Sequence, residues 1–106
     1  MLIEVRQTGI FRAWLRELRD VRAQERIAQR LSRLGVGLFG DAKPVGGGVL
    51  ELRIDHGPGY RVYFARQGDL LVLLLCGGDK GTQRRDIKRA KLLAKELEDG
   101  ARSDAF

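Results

Sequence analysis

Residues 49–66, "VLELRIDHGPGYRVYFAR", decide how this chain folds. Two alternating apolar stretches flank the turn-rich loop "DHGPG", the pattern of a β-hairpin. Leu50, Leu52 and Ile54 share one face of the first strand, and Glu51, Arg53 and Asp55 share the other. In the second strand Tyr60, Val62 and Phe64 oppose Arg61, Tyr63 and Ala65. The symmetric register sets Ile54 against Tyr60, Leu52 against Val62 and Leu50 against Phe64. It also places Arg53 directly opposite Arg61. A slip of one residue would bury both arginines and expose the leucines. Like charges directly opposed destabilise a sheet, so the pair requires a reason. Guanidinium forks match phosphate geometry, which reads as an anion site. The other reading is structural: Glu51 and Asp55, on the same face, neutralise the pair. Tyr63 adds a phenol to that surface, and Arg61, projecting away from the core, is expected to be dispensable for folding.

After this hairpin, "RQGD" (66–69) makes a tight turn into "LLVLLLC" (70–76). That run is apolar on both faces, as expected of a strand covered on both sides. The N-terminal "LIEV" (2–5) is a strand candidate to pair beside it. Thr8 can cap a helix carrying Phe11, Trp14, Leu15 and Leu18 at helical spacing. Asp20 can cap a second, with Val21, Ile27, Leu31 and Leu34 on one face and Arg22, Arg26, Arg30 and Arg33 on the other; Gly35 and Gly37 end it. "GLFGDAKPVGGG" (37–48) is a loop by composition. Gly77 and Gly78 break the last strand, and Asp79 caps a terminal helix with Ile87, Ala90, Ala94 and Leu97 as its apolar stripe. The polar tail over 99–106 is expected to fray. The order β-α-α-β-β-β-α defines an α+β fold. It is a small, antiparallel-type sheet with a two-helix hairpin packed on one face, in a single domain over 1–106.

Twenty Lys and Arg against fourteen Asp and Glu give a net charge of +6. This balance suits an acidic partner, whether nucleic acid, anionic membrane or acidic protein, although surplus cations also aid solubility. The single cysteine, Cys76, has no partner within the chain and fits a reducing compartment. No signal region or apolar run long enough to span a bilayer is present, so a cytoplasmic protein without membrane attachment is expected. No metal-ligand cluster or phosphate-cradling loop appears, and neither metal nor cofactor is expected. Lys43 and Lys80 lie in segments at the sheet's margins, where they can converge on the arginine face. His56, the only histidine, sits in the hairpin loop, either as a catalytic base or as an exposed turn residue.

Several segments together resemble a known family: Trp14-Leu15 followed by "LRD" (18–20), "AQERI" (23–27), "GDAKPVGGGVLELRI" (40–54), "GPGYRVYF" (57–64) and "LLLCGGDKGTQ" (73–83). They look like the RelE/ParE superfamily of type II toxins, and most closely its HigB-like addiction-module killer proteins, over about residues 2–98. The resemblance implies two N-terminal helices packed on an antiparallel sheet with a basic concave face. It also implies a cognate antitoxin that neutralises the toxin. Its leading functional implication is an mRNA interferase, a ribosome-dependent endoribonuclease that inhibits translation. The ParE branch implies DNA gyrase inhibition instead, and a degenerate toxin serving as a binding module is the third reading.

Within the nuclease reading, RNA supplies its own 2′-hydroxyl nucleophile. The protein must orient it, accept its proton, stabilise the phosphorane charge and protonate the leaving 5′-oxygen, without a metal. Arg61 matches the strand arginine that such nucleases use on the scissile phosphate, and Arg53 and Lys80 match basic positions of the HigB-like group. The general base would come from Tyr63, Glu51, His56 or a lysine, because "DKGTQRRDIKRAKLL" (79–93) contains no His or Tyr. Lys43, Arg84, Arg85 and Lys88 are the expected RNA contacts.

Overall fold

A computed structural model describes residues 2–99, and most of the expected tail, 100–106, lies outside them. The chain runs β1 (Glu4–Gln7), α1 (Gly9–Glu17), α2 (Val21–Leu34), β2 (Ala42–Gly46), β3 (Val49–Ile54), β4 (Tyr60–Gln67) and β5 (Leu71–Asp79). A single 3₁₀ turn (Lys80–Thr82) leads into α3 (Gln83–Asp99), which includes Asp99, the first residue of the expected tail. The expected caps form. Thr8 Oγ1 accepts from the Phe11 N–H at 3.0 Å while donating to the Leu75 carbonyl at 2.7 Å, which fixes α1 to the sheet. Asp20 accepts from the Ala23 N–H at 3.2 Å. The Gln24 amide donates to the Leu15 and Leu18 carbonyls at 3.0 and 2.9 Å and closes the helical hairpin.

The five strands lie in the order β1-β5-β4-β3-β2. β3 and β4 pair in the symmetric register, with Ile54 opposite Tyr60, Leu52 opposite Val62 and Arg53 opposite Arg61. β1 pairs beside β5 as expected but runs parallel to it, so the sheet is mixed. Phe11, Ala23, Ile27 and Leu34 of the helical hairpin bury Leu52, Val62, Phe64 and Leu74 on one face. Trp14, Leu18 and Leu31 stand half-buried at the rim of this core.

Three features depart from the sequence pattern. Composition predicts a loop over 37–48, yet residues 42–46 form an edge strand paired with β3. Pro44 is tolerated because it lies on an edge. Gly47 and Gly48, at φ +61° and +76°, make the left-handed pair of a tight hairpin turn. The second departure is α3, which covers the face opposite the helical hairpin. Ile87, Ala90, Leu93, Ala94 and Leu97 close a second core over Val49, Tyr63, Leu73, Leu75 and Cys76. A bulge in β5 pairs Tyr63 with Cys76 and Phe64 with Leu74, which turns Leu75 and Cys76 together toward α3. The sheet is therefore covered on both faces, by the helical hairpin on one, as expected, and by α3 on the other.

Third, Gly77 and Gly78 do not break β5 but lie inside it. A Cβ on Gly77 would overlap the Trp14 indole of α1, and one on Gly78 would overlap the Asp86 carboxylate of α3. The two glycines let helices close on both sides of the same strand. Among the described residues no helix is long and apolar enough to cross a membrane.

Candidate functional site

The loop joining β3 to β4 bounds a cleft of ≈ 390 Å³ lined by Asp41, Arg53, Asp55, Gly57, Pro58, Gly59, Arg61 and Lys80. Register delivers the two arginines side by side, and the backbone delivers Lys80. Its N–H donates to the Gly59 carbonyl at 2.9 Å. A side chain on Gly59, at φ +81°, would meet Arg61 Nη1 at 3.4 Å and Lys80 Cβ at 3.5 Å, so glycine leaves room for both cations. The base of Arg53 is held from both sides. Its N–H donates to the Asp41 carbonyl at 2.9 Å, and its carbonyl accepts from Arg30 Nη1 at 2.7 Å.

Beneath the arginines lies Glu51, 1 % exposed. Its Oε1 is 3.1 Å from Arg53 Nε and 3.7 Å from Arg61 Nε. Its Oε2 accepts from the Tyr63 hydroxyl at 3.0 Å and from Gln83 Nε2 at 2.7 Å. Burial opposes ionisation of Glu51, but the hydrogen bonds from Gln83, Arg53 and Tyr63 and the charge of Arg61 outweigh it. The carboxyl is held below its ordinary range. Glu51 therefore neutralises the pair only in part: one buried carboxylate serves two guanidiniums, leaving the pair net positive. Asp55 lines the cleft but forms no ion pair with either arginine.

Arg61 differs from the expectation of a freely projecting side chain. It is 9 % exposed and donates from Nη1 to the Tyr60 carbonyl at 3.2 Å. Its Nε has no hydrogen-bond partner among the described residues. Arg61 is thus part of a buried network with Tyr60 and Glu51 and not a free side chain.

The remaining candidates separate. Tyr63 is fully buried under α3 instead of adding a phenol to the surface. Burial, together with the charge of Glu51 and the bond to it, raises its pKa far above the usual phenol value. It is not placed to take a proton from a ligand in the cleft. His56 bonds Asp20 at 3.1 Å and stacks on Tyr60, away from the cleft. Lys43 is exposed on β2 opposite Glu51. Arg84, Arg85 and Lys88 lie on α3. Arg85 and Arg89 line a separate ≈ 520 Å³ cleft beside Trp14, and Lys88 lies with Lys91 and Lys95 along the β2–β3 turn. The structure thus unites Arg53, Arg61 and Lys80 and leaves the helix cations outside. Asp41 escaped sequence reasoning, and Asp55 was expected only as a neutralising charge beside Glu51.

Comparison with known proteins gives matches of three kinds. The family model described as Phage derived protein Gp49-like matches residues 13–98. A protein of Haemophilus influenzae, described as an uncharacterized protein, is 55% identical over 97 residues, covering 92% of this chain and 98% of its own length. Among solved structures, a chain of the toxin–antitoxin complex RelBE2 from Mycobacterium tuberculosis superposes with a TM-score of 0.61 at 20% identity. The match covers 76% of this chain and 100% of that one. At that identity the likeness is one of fold.

Proposed function

The chain belongs to the Gp49-like family of phage-derived proteins, and from that premise we propose that it is the toxin of a type II toxin–antitoxin module. Its target in this proposal is messenger RNA on the ribosome. A shared fold with a chain of a toxin–antitoxin complex supports the coarser part of this reading. The observation that carries the finer part is the opposition of Arg53 and Arg61 across β3 and β4, with Lys80 on the same cleft. Three cations converging on one open cleft suit a phosphodiester whose charge grows in the transition state. Arg61, held by charge but unsaturated at Nε, is the principal charge stabiliser; Arg53 and Lys80 share the task. Asp41 or Asp55 accepts the 2′-hydroxyl proton as that oxygen bonds to phosphorus, and Lys80 is the donor to the departing 5′-oxygen as its bond to phosphorus breaks. Lys43, Arg84, Arg85 and Lys88 extend the surface for the rest of the RNA.

The reading is tested by inducing the chain alone and together with the product of its neighbouring open reading frame. Protein and DNA synthesis are followed in parallel. Arrest of translation with cleaved mRNA, relieved by the neighbour, is the expected outcome. Intact mRNA with blocked DNA supercoiling would move the target to DNA gyrase. Growth unaffected by the chain alone would remove the toxin reading.

A further inference from the structure

We propose that Glu51 is the positioning residue of the arginine cleft, a buried carboxylate that fixes both guanidiniums and ties their geometry to the seating of α3. The proposal rests on the phosphate-site reading above.

A buried carboxylate is costly unless its oxygens are fully served. Here four side chains from three elements serve one. Oε1 faces the cleft, toward Arg53 at 3.1 Å and Arg61 at 3.7 Å. Oε2 faces away from it, accepting from Tyr63 of β4 and from Gln83, the first residue of α3. Bonds to one oxygen thus fix the plane in which the other meets the arginines. Mere neutralisation of two opposed arginines needs no such arrangement, because a solvated carboxylate such as Asp55 on the same cleft would serve. Two arginines also share a single oxygen. Arg53 takes the hydrogen bond, and Arg61 Nε is left as a buried, unpartnered donor among the described residues. Arg61 is therefore oriented by the charge of Glu51 and by its bond to the Tyr60 carbonyl, not by a hydrogen bond at Nε. Tyr63, buried and protonated, has its hydroxyl committed to Glu51.

The test uses the full chain and the variants Glu51→Gln, which keeps size and one acceptor, and Gln83→Met, which leaves the carboxylate intact. The activity-independent readout is hydrogen exchange of the Arg53 and Arg61 Nε–H groups by ¹⁵N NMR. The second readout separates kcat from KM for mRNA cleavage on translating ribosomes. Both variants are expected to speed Nε–H exchange. Glu51→Gln should lower kcat by about tenfold to 10²-fold with KM changed by less than about threefold, the scale of a misplaced charge-stabilising group. An unchanged or faster kcat would reduce Glu51 to a neutralising charge and overturn the proposal. A rate lost only in proportion to the folded fraction would make its role structural and overturn the proposal equally. Should Glu51→Gln not fold, Gln83→Met decides on the same readouts. If the wild-type chain cleaves no RNA, the functional reading fails while the exchange measurement still decides: Nε–H groups equally protected in wild type and variants would refute positioning.

Discussion

Gly77→Ala and Gly78→Ala test whether both faces of β5 are covered where the structure places them. Neither glycine has a left-handed backbone, so alanine meets no conformational penalty at either position. The cost must come from the neighbours. At Gly77 the new methyl overlaps the Trp14 ring, which can yield because Trp14 is half-buried. Overpacking costs about 1–3 kcal/mol, offset by about 0.4–1 kcal/mol from the stiffer unfolded chain. The net, about 1–2 kcal/mol, lowers Tm by roughly 5–15 °C for a domain near this size. At Gly78 the methyl overlaps the carboxylate of Asp86, a 2 % exposed group bonded to Thr82 and paired with Arg85. Displacing a hydrogen-bonded charge adds about 1.5–3 kcal/mol to the overpacking. Gly9→Ala is the control: among the described residues nothing lies within 4 Å of its added Cβ, and stability should hold or rise. Thermal melts of the three variants are the assay. The expected ranking has Gly78→Ala below Gly77→Ala and both below wild type, with the Gly77→Ala loss reduced in a Trp14→Leu background. A Gly77→Ala protein melting at or above wild type would refute the packing described here.

Leu52→Ala empties a site that is 0% exposed beneath the helical hairpin and should cost about 2–5 kcal/mol in urea unfolding; a loss under about 1 kcal/mol would contradict that burial. Stability should also fall in acid. Glu51 and Asp20 both ionise more readily folded than unfolded, from ordinary values of 4.5 and 3.8. The unfolded chain therefore binds more protons in that range, and the urea midpoint should be flat between about pH 5 and about pH 8 and drop below pH 5. A midpoint rising with acidity would reverse the sign. Cys76 is buried, and burial together with the charge of Asp86 pushes its thiol up to about 11. Thiol labelling of the native protein at neutral pH should be slower than in urea by about 10²-fold or more, and equal rates would show the second core to be open.

Much of the fold was legible because the hairpin over 49–66 admits one register that keeps Leu52 and Val62 inside. That register alone placed Arg53 against Arg61. What escaped was the meaning of charge on the second face. Glu51 alternates with leucines like a solvent residue, and a polar residue buried by four partners leaves no periodic signature in one strand. The helix that covers it, α3, has a narrow stripe of small residues such as Ala90 and Ala94. The stripe reads as a weak surface helix until Tyr63 and Leu75 are seen beneath it. Gly77 and Gly78 mislead for a related reason: glycine marks close approach as well as chain breaks, and only Trp14 and Asp86 in place show which applies. The strand over 42–46 was hidden by Pro44 and three consecutive glycines, all acceptable at a sheet edge and its turn.

The central claim is that Arg61, in its cleft with Arg53 and Lys80, stabilises charge on a scissile phosphate. The direct measurement is single-turnover cleavage of A-site mRNA by the purified chain on translating ribosomes, comparing wild type with Arg61→Lys at equal folded concentration. Lysine retains the charge but lacks the fork. The account predicts cleavage by wild type and a rate lower by about 10²–10³-fold in the variant, the cost of losing one preorganised donor. A variant cleaving at the wild-type rate would contradict it.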